Sequence, residues 1–224
     1  MTLPLSRAAL VRIAPFAVFM LSLAVRGAIP DNDHVDARWV YAVGALLTGA
    51  LLIRFRHEYG EFAPQNRPTL GEAALAVAVG ALVCWLWVRL DAPWMQFSAA
   101  TAGFTPLDGN GQPQWPLIAV RWLGATALVP VMEELFWRSF LMRWISDATF
   151  EAVDPRRISV KAVVLSTFVF MLAHTLWLAA IIAGLAYAML YRRTGKLWVP
   201  VIAHAVTNGA LGVWVVLTGN WVFW

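Results

Sequence analysis

Long apolar runs constrain this chain more than any other feature, because roughly 17 to 25 apolar residues are what a membrane-spanning helix needs. Seven such segments can be drawn, at about residues 10–29, 38–54, 70–89, 117–142, 158–174, 176–191 and 197–217. The fifth and sixth segments are at the short end of the required length. The sequence therefore predicts an all-α fold, a polytopic transmembrane helical bundle with about seven spans in a lipid bilayer.

The composition excludes an ordinary soluble domain. Hydrophobic residues make up 60% of the chain and charged residues 13%, against roughly 45 to 50% and about 25% in soluble proteins. The net charge of +4 could suggest binding to nucleic acid, but the 17 Lys and Arg residues are scattered between apolar runs and form no single basic face. We expect no nucleic-acid partner and interpret these residues as topology signals.

The basic residues predict how the chain is oriented. Most Lys and Arg residues lie in segments that are inside if the N-terminus is cytoplasmic, whereas the outer segments would hold Arg26, Arg38 and Arg89. The positive-inside rule then predicts a cytoplasmic N-terminus and a C-terminus outside. Residues 1–224 are predicted to form a single membrane domain. Residues 1–116 would supply three spans and an outer loop, and residues 117–224 a helical core.

Two features outside the spans carry local predictions. Residues 90–116 form the one long connection, which we interpret as an interfacial loop with its aromatic residues at the membrane surface; a lid over a site is the alternative. These aromatic residues are Trp94, Phe97, Phe104 and Trp115. Thr69 and Glu72 have the spacing of a capping box ahead of the third span, which predicts that Glu72 caps a helix.

Besides Arg121 near its outer end, the fourth apolar run is interrupted by a group of three charged residues: Glu133, Glu134 and Arg138. An ionisable group near the centre of a bilayer costs about 2.5 to 3.5 kcal/mol on insertion scales, so such residues indicate a function by default. Residues four apart share a helix face, which predicts an ion pair between Glu134 and Arg138. Glu133 is turned by about 100° from Glu134, so the two glutamates should have different neighbours.

Three more polar residues lie in the last three spans: His174, His204 and Asn208. The helical rise places Glu133, His204 and His174 on the order of 15, 12 and 20 Å from the nearest inner charge on their own helices. They can converge only if the fifth helix stops short of the outer surface, which predicts a re-entrant hairpin that turns near Thr175. We expect the site to open toward the cytoplasmic half of the membrane.

This set of residues could perform hydrolysis. A carboxylate next to an imidazole can hold and deprotonate water, and His204 and Asn208, one helical turn apart, could donate hydrogen bonds to a developing oxyanion. Taken singly, each residue also has a structural interpretation, as a buried ion pair or a hydrogen bond between helices. A proton relay in a transporter is a further alternative, although the sequence has no pair of broken helices in two equivalent halves.

The motifs E-E-x-x-x-R (133–138), F-x-x-x-H (170–174) and H-x-x-x-N (204–208) resemble those of the CAAX protease and bacteriocin-processing family of intramembrane endopeptidases. The resemblance implies a glutamic-type protease in which Glu133 and His174 activate water. It implies that His204 and Asn208 stabilise the transition state, and that Glu134 and Arg138 support the site. The competing interpretation is a non-enzymatic immunity protein or chaperone that keeps this fold.

The resemblance also bears on cofactor and substrate. The family has been regarded as metal-dependent, and Glu133, His174 and His204 could bind zinc. We expect no cofactor, because Asn208 is better suited to donate to an oxyanion than to ligate a metal. Trp-Val-Arg-Leu-Asp (87–91) and the final Thr-Gly-Asn-Trp-Val-Phe-Trp (218–224) are similar to a bacterial subgroup associated with exosortase sorting systems. The implied substrate is a membrane-anchored protein with a C-terminal tail, in the bacterial inner membrane.

Overall fold

The computed structural model describes residues 6–29, 36–97 and 104–224, and within these ranges the fold is all-helical. Each of the seven predicted segments forms one main helix, and short 3-10 turns lie in the connections between the second and third, third and fourth, and fourth and fifth helices. The helices are α1 (Arg7–Ala28), α2 (Trp39–Arg54), α3 (Leu70–Trp87), α4 (Trp115–Ser146), α5 (Val160–Leu172), α6 (Trp177–Thr194) and α7 (Trp198–Thr218). The predicted fold class is confirmed.

Four of these helices, α1, α3, α4 and α7, are long and apolar enough to cross a membrane. Helices α2 and α5 are also apolar but have only 16 and 13 residues. Together these helices indicate an integral membrane protein. The count of seven spans and the orientation of the termini stay predictions.

Helix α5 lies at the edge of the bundle and is only partly enclosed by protein. Val164, Phe168 and Leu172, which recur every four residues, are all more than half exposed. Such a continuous apolar stripe is suited to contact with lipid. The turn after α5 is covered, because the Thr175 carbonyl accepts a hydrogen bond from the Phe97 amide at 3.0 Å. The predicted hairpin therefore packs against the loop that follows α3 on one side and presents an apolar stripe on the other.

Helix α3 begins at the predicted capping box. The Thr69 side chain accepts from the Glu72 amide, and the Glu72 carboxylate accepts from the Thr69 amide at 2.7 Å, which confirms the prediction. The same carboxylate accepts a hydrogen bond from Lys196 Nζ at 2.7 Å. Glu72 therefore ties the start of α3 to the connection between α6 and α7, in addition to capping the helix.

A glycine allows α3 and α7 to pack closely. A Cβ atom at Gly80 would overlap the carbonyl of Ala203 in α7. The Gly80 carbonyl accepts a hydrogen bond from the Thr207 hydroxyl at 2.9 Å. Small residues let membrane helices approach in this way, and the buried hydroxyl adds a polar link. This contact fixes the rotation of α7, on which His204 and Asn208 lie.

The loop between α3 and α4 differs from the prediction at one residue. Trp94, Phe97 and Trp115 are exposed, as interfacial aromatic residues should be, but Phe104 is only 3% exposed. Its ring packs against Tyr41 and Trp224. The prediction that Phe104 rests at the membrane surface is wrong, because this ring fills the core between α2 and the C-terminal turn. Residues 98–103 of the loop lie outside the described residues.

A buried ionic cluster holds α1, the connection between α2 and α3, and the end of α4 together. Glu61 pairs with Arg12 at 2.8 Å and with Arg143 at 2.9 Å, and the Ser139 hydroxyl donates to the same carboxylate. The three charged side chains are all less than 10% exposed. One carboxylate therefore compensates two buried guanidinium groups at this end of the bundle.

We expect this cluster to make the protein less stable in acid. Burial by itself raises the pKa of Glu61. The hydrogen bond and charge of Arg12, together with Ser139 and Arg143, lower the pKa by more than burial raises it, so the net pKa is below its ordinary value of 4.5. A carboxylate with a depressed pKa stabilises the folded state above its unfolded pKa and loses that contribution as the pH falls through the folded value. The unfolding temperature in detergent, recorded at pH 7 and at a series of pH values below about 4.5, measures this loss of stability.

Glu61→Gln provides the control, since it keeps a side-chain oxygen but cannot titrate. The wild type should be the more stable protein at pH 7, and its advantage over the variant should shrink as the pH falls. Two unfolding curves that stay parallel across this pH range would contradict the prediction.

Candidate active site

One cavity of about 290 Å³ is lined by all four residues predicted to act in hydrolysis: Glu133, His174, His204 and Asn208. Glu133 comes from α4, His174 from the turn after α5, and the other two from α7. The predicted convergence of three helices on one site is therefore present in the fold. Glu134 and Arg138 do not line the cavity and lie in the protein behind it.

One face of α4 forms a wall of the cavity. Arg121, Ala125, Val129 and Glu133 line it at intervals of four residues. Two stretches of α4, Gly124–Leu128 and Leu135–Met142, have π-helical hydrogen bonding. Such π turns are rare and are found frequently at functional sites. Glu133 lies between these two irregular stretches.

A tryptophan on the same helix orients the Glu133 carboxylate. Trp137 Nε1 donates a hydrogen bond to Glu133 Oε2 at 3.2 Å. The indole is itself held edge-on against Phe16 and Phe170. One carboxylate oxygen therefore has a fixed donor, which leaves Oε1 to contact a water in the cavity.

His174 is oriented by the helix that it follows. Its Nδ1 lies 2.8 Å from the Phe170 carbonyl, one of the last carbonyls of α5, which also accepts a hydrogen bond from the Ala173 amide at 3.1 Å. Because a carbonyl oxygen can only accept, Nδ1 carries the hydrogen, and Nε2 of the neutral ring is a free acceptor. Trp87 packs edge-on against the imidazole. His174 is therefore held in the tautomer that can accept a proton at Nε2.

Glu134 links Arg138 to His204. Its Oε1 lies 3.2 Å from Arg138 Nη1, which confirms the predicted ion pair, and 3.0 Å from His204 Nδ1. Glu134 is fully buried. Arg138 also donates to the Gly184 carbonyl and lies over the Tyr187 ring. The contact with His204 was not predicted, and it gives Glu134 a second role next to neutralising Arg138.

This contact determines which form of His204 could stabilise an oxyanion. A carboxylate only accepts, so Nδ1 of His204 carries a hydrogen toward Glu134. Donation to an oxyanion from Nε2 then requires a hydrogen on that nitrogen too, which only the imidazolium has. Tyr187 stacks on the ring at a centroid distance of 5.0 Å and keeps it in plane.

Asn208 is positioned by the first π stretch of α4. Its Nδ2 donates to the Ala125 carbonyl at 2.9 Å. A side-chain amide nitrogen has two hydrogens, so one is left for a group in the cavity. His204 and Asn208 could thus both donate to one oxygen, as their spacing on α7 predicted, although their positions depend on groups of α4.

The remaining walls of the cavity are mostly apolar, and part of them comes from the N-terminal half of the chain. Helix α1 contributes Phe16, Phe19, Met20 and Leu23. Helix α3 contributes Trp87, and the last residues of the chain contribute Phe223 and Trp224. The cavity is therefore suited to an apolar chain, and the site is built by both halves of the sequence.

The cavity extends along α4 away from the Glu61 cluster. From Glu133 it follows α4 toward Arg121 and reaches Phe223 and Trp224, at the end of the bundle where α1 finishes. The Glu61 cluster and its packing fill the opposite end, where α1 begins. The expected opening toward the cytoplasmic half stays a prediction, as the orientation of the termini does.

Two residues that position the site were missed at the sequence level. Trp137 is four residues after Glu133 and shares its face, so the spacing that predicted the Glu134 and Arg138 pair could have identified it. Tyr187 stacks on His204 from another helix, and nothing in the local sequence indicates that contact.

The side chains do not fit a zinc ion. Within residues 6–29, 36–97 and 104–224, no three His, Cys, Asp or Glu side chains form a group that could hold a metal. We therefore derive no step through a metal ion.

Comparison with known proteins adds one finding. Comparisons with curated proteins and with solved structures give no match. Residues 114–210, less than half of the chain, match the model of the type II CAAX prenyl endopeptidase Rce1-like family. All four candidate catalytic residues, together with Glu134 and Arg138, lie within the matched segment.

Proposed function

We propose that the protein is a glutamic-type intramembrane endopeptidase that hydrolyses a peptide bond near the membrane-associated C-terminal tail of a protein substrate. The observation that carries this proposal is the shared cavity of Glu133, His174, His204 and Asn208. The match of residues 114–210 to an endopeptidase family supports the same chemistry.

In the proposed reaction, Glu133 Oε1 accepts a proton from water while His174 Nε2 orients that water. The water oxygen bonds to the carbonyl carbon of the substrate, and the carbonyl oxygen becomes an oxyanion. His204 Nε2–H and the second amide hydrogen of Asn208 donate to this oxyanion. Glu133 then returns the proton to the amide nitrogen as the C–N bond breaks, which completes the hydrolysis.

The walls of the cavity favour an apolar substrate segment. Phe16, Phe19, Phe223 and Trp224 offer aromatic surface beside the polar residues. We propose a membrane-anchored substrate with a C-terminal sorting signal or CAAX-like tail, processed in the bacterial inner membrane. The resemblance to exosortase-associated proteins supports the sorting signal as the first substrate to test.

Two alternatives use the same residues. A transporter could pass protons along Glu133 and the histidines, and a chaperone or immunity protein could bind a tail without cleaving it. The orientation of the groups favours hydrolysis, because Trp137 and the Phe170 carbonyl aim Glu133 Oε1 and His174 Nε2 into the same cavity.

A cleavage assay tests the proposal. The purified protein in detergent should cleave a synthetic peptide with an apolar C-terminal tail, with and without a metal chelator. His174→Ala should be about 10² to 10³-fold slower, because it loses the acceptor that orients the water. Mass spectrometry of the products identifies the bond.

The matched control is His57→Ala, which removes the exposed histidine of the 3-10 turn Arg56–Glu58. This variant should cleave at the wild-type rate. Proton-coupled uptake that is lost in His174→Ala, with no cleavage by the wild type, would favour the transporter instead. Tight binding of the tail without cleavage would favour the chaperone.

A further inference from the structure

Arg121 is a cation in the cavity wall that the proposed chemistry does not use. It lies on the same face of α4 as Glu133, twelve residues earlier, and both line the cavity. Its guanidinium lies over the ring of Tyr41 at 4.6 Å and over the ring of Phe104 at 5.7 Å. Both rings are buried, and each contacts a face of the guanidinium. The N–H groups at the edge of a guanidinium are the ones that form hydrogen bonds.

The charge of Arg121 is not compensated within the part of the chain that the structure describes. No carboxylate there forms an ion pair with it, and its buried Nε has no hydrogen-bond partner. Arg138, the other arginine in this helix near the cavity, has both Glu134 and a carbonyl. An arginine at membrane depth without an acidic partner indicates an anionic ligand.

The local electrostatics favour an anion at this end of the cavity. Glu133 is at the opposite end of the α4 stripe, so its charge does not neutralise Arg121. Guanidinium groups bind carboxylates through two parallel hydrogen bonds, which suits a planar anion at the end of a chain.

The distance along α4 fits a short peptide. Twelve residues of helix correspond to about 18 Å, or slightly less where the helix has π geometry. An extended chain covers at most about 3.3 to 3.6 Å per residue, so a peptide cut beside Glu133 needs at least about five residues to place its end at Arg121. The aromatic residues Phe223 and Trp224 would flank such a tail.

We propose that Arg121 binds the C-terminal carboxylate of the substrate and thereby selects substrates whose released tail has at least about five residues. This inference rests on the proposed function, since it deepens the substrate class of the same cavity. Arg121 acts here as a residue that determines specificity, and takes no part in activating water.

The first test measures binding without cleavage. In the Glu133→Gln background, a fluorescent peptide with an apolar tail and a free C-terminal carboxylate should bind about 10- to 100-fold more tightly than its C-terminal amide. Adding Arg121→Gln should remove this difference, and Arg121→Lys should restore part of it. Equal binding of the acid and amide peptides would overturn the inference even if the protein proves to be a protease.

The second test uses cleavage by the protein with Glu133 intact. Arg121→Gln should raise KM for the acid peptide with little change in kcat, which is the signature of lost substrate binding. The matched control is Arg89→Gln, which removes an exposed arginine that also contacts an aromatic ring but does not line this cavity. If the wild-type protein cleaves neither peptide but binds the acid peptide more tightly than the amide, the proposed protease function is wrong. The inference that Arg121 binds a C-terminal carboxylate is then still supported.

A lipid phosphate is the other source of an anion. Repeating the binding assay in nanodiscs of phosphatidylcholine and of phosphatidylglycerol separates the two. A preference for the acid peptide in both lipids supports the substrate carboxylate. An effect of Arg121→Gln that appears only with phosphatidylglycerol, and is the same for acid and amide peptides, would overturn it. Should Arg121→Gln fail to fold, the acid and amide comparison on the Glu133→Gln protein still decides.

Discussion

Glu133→Gln is expected to lower kcat/KM for a tail peptide by about 10² to 10⁴-fold, the range that a general base supplies. The amide has nearly the same size as the carboxylate and can still accept from Trp137, but it cannot take a proton from water. Steady-state cleavage of the synthetic peptide in detergent measures the effect. The substitution leaves the buried ion pair behind the cavity untouched, so the unfolding temperature should change little.

Glu151→Gln is the matched control, because it makes the same chemical change at an exposed position in the 3-10 turn Phe150–Ala152. We expect wild-type cleavage from this variant. Cleavage at the full rate by Glu133→Gln would contradict the proposed mechanism, whatever else the cavity binds.

The helices were predictable from the sequence because each depends on a property of its own segment. Apolar runs located all seven, and the spacing of Thr69 and Glu72 located the start of α3. The ion pair between Glu134 and Arg138 followed in the same way from residues one turn apart. Local spacing is preserved whatever the helices pack against.

Contacts between distant segments could not be predicted in this way. Glu134 and His204 are 70 residues apart, and whether they meet depends on how α4 and α7 are rotated against each other. That rotation depends on Gly80 and on the π stretches of α4, which no periodicity indicates. Phe104 was misplaced for the same reason, since an aromatic residue in a loop suits either an interface or a core.

The direction of the cavity depends on more than depth along individual helices. Counting residues from the inner charges gave similar depths for Glu133 and the histidines, and the four residues do meet. The count could not show that Arg12, Glu61 and Arg143 fill the end of the bundle where α1 begins. Packing at the ends of helices therefore determines from which end of the bundle the cavity can be reached.

Glu134 has two structural contacts, and a pair of variants separates their roles. Glu134→Leu removes a buried carboxylate and leaves Arg138 without its acidic partner, which should cost about 3 to 5 kcal/mol of stability. Glu134→Leu combined with Arg138→Met removes both charges. Replacing a buried ion pair by apolar residues of similar volume is often neutral, so the double variant should regain most of the lost stability. Chemical denaturation in detergent measures both.

The double variant should regain stability but not cleavage activity. In both variants His204 Nδ1 loses the carboxylate that lies 3.0 Å away and that orients the ring. Loss of one oxyanion donor costs about 10² to 10³-fold in kcat, so the stable double variant should remain impaired by that factor. If the double variant instead cleaved at the wild-type rate, Glu134 would serve only to neutralise Arg138. The carboxylate would then be dispensable once the arginine is gone, and His204 would have to be oriented by the stacked Tyr187 ring alone.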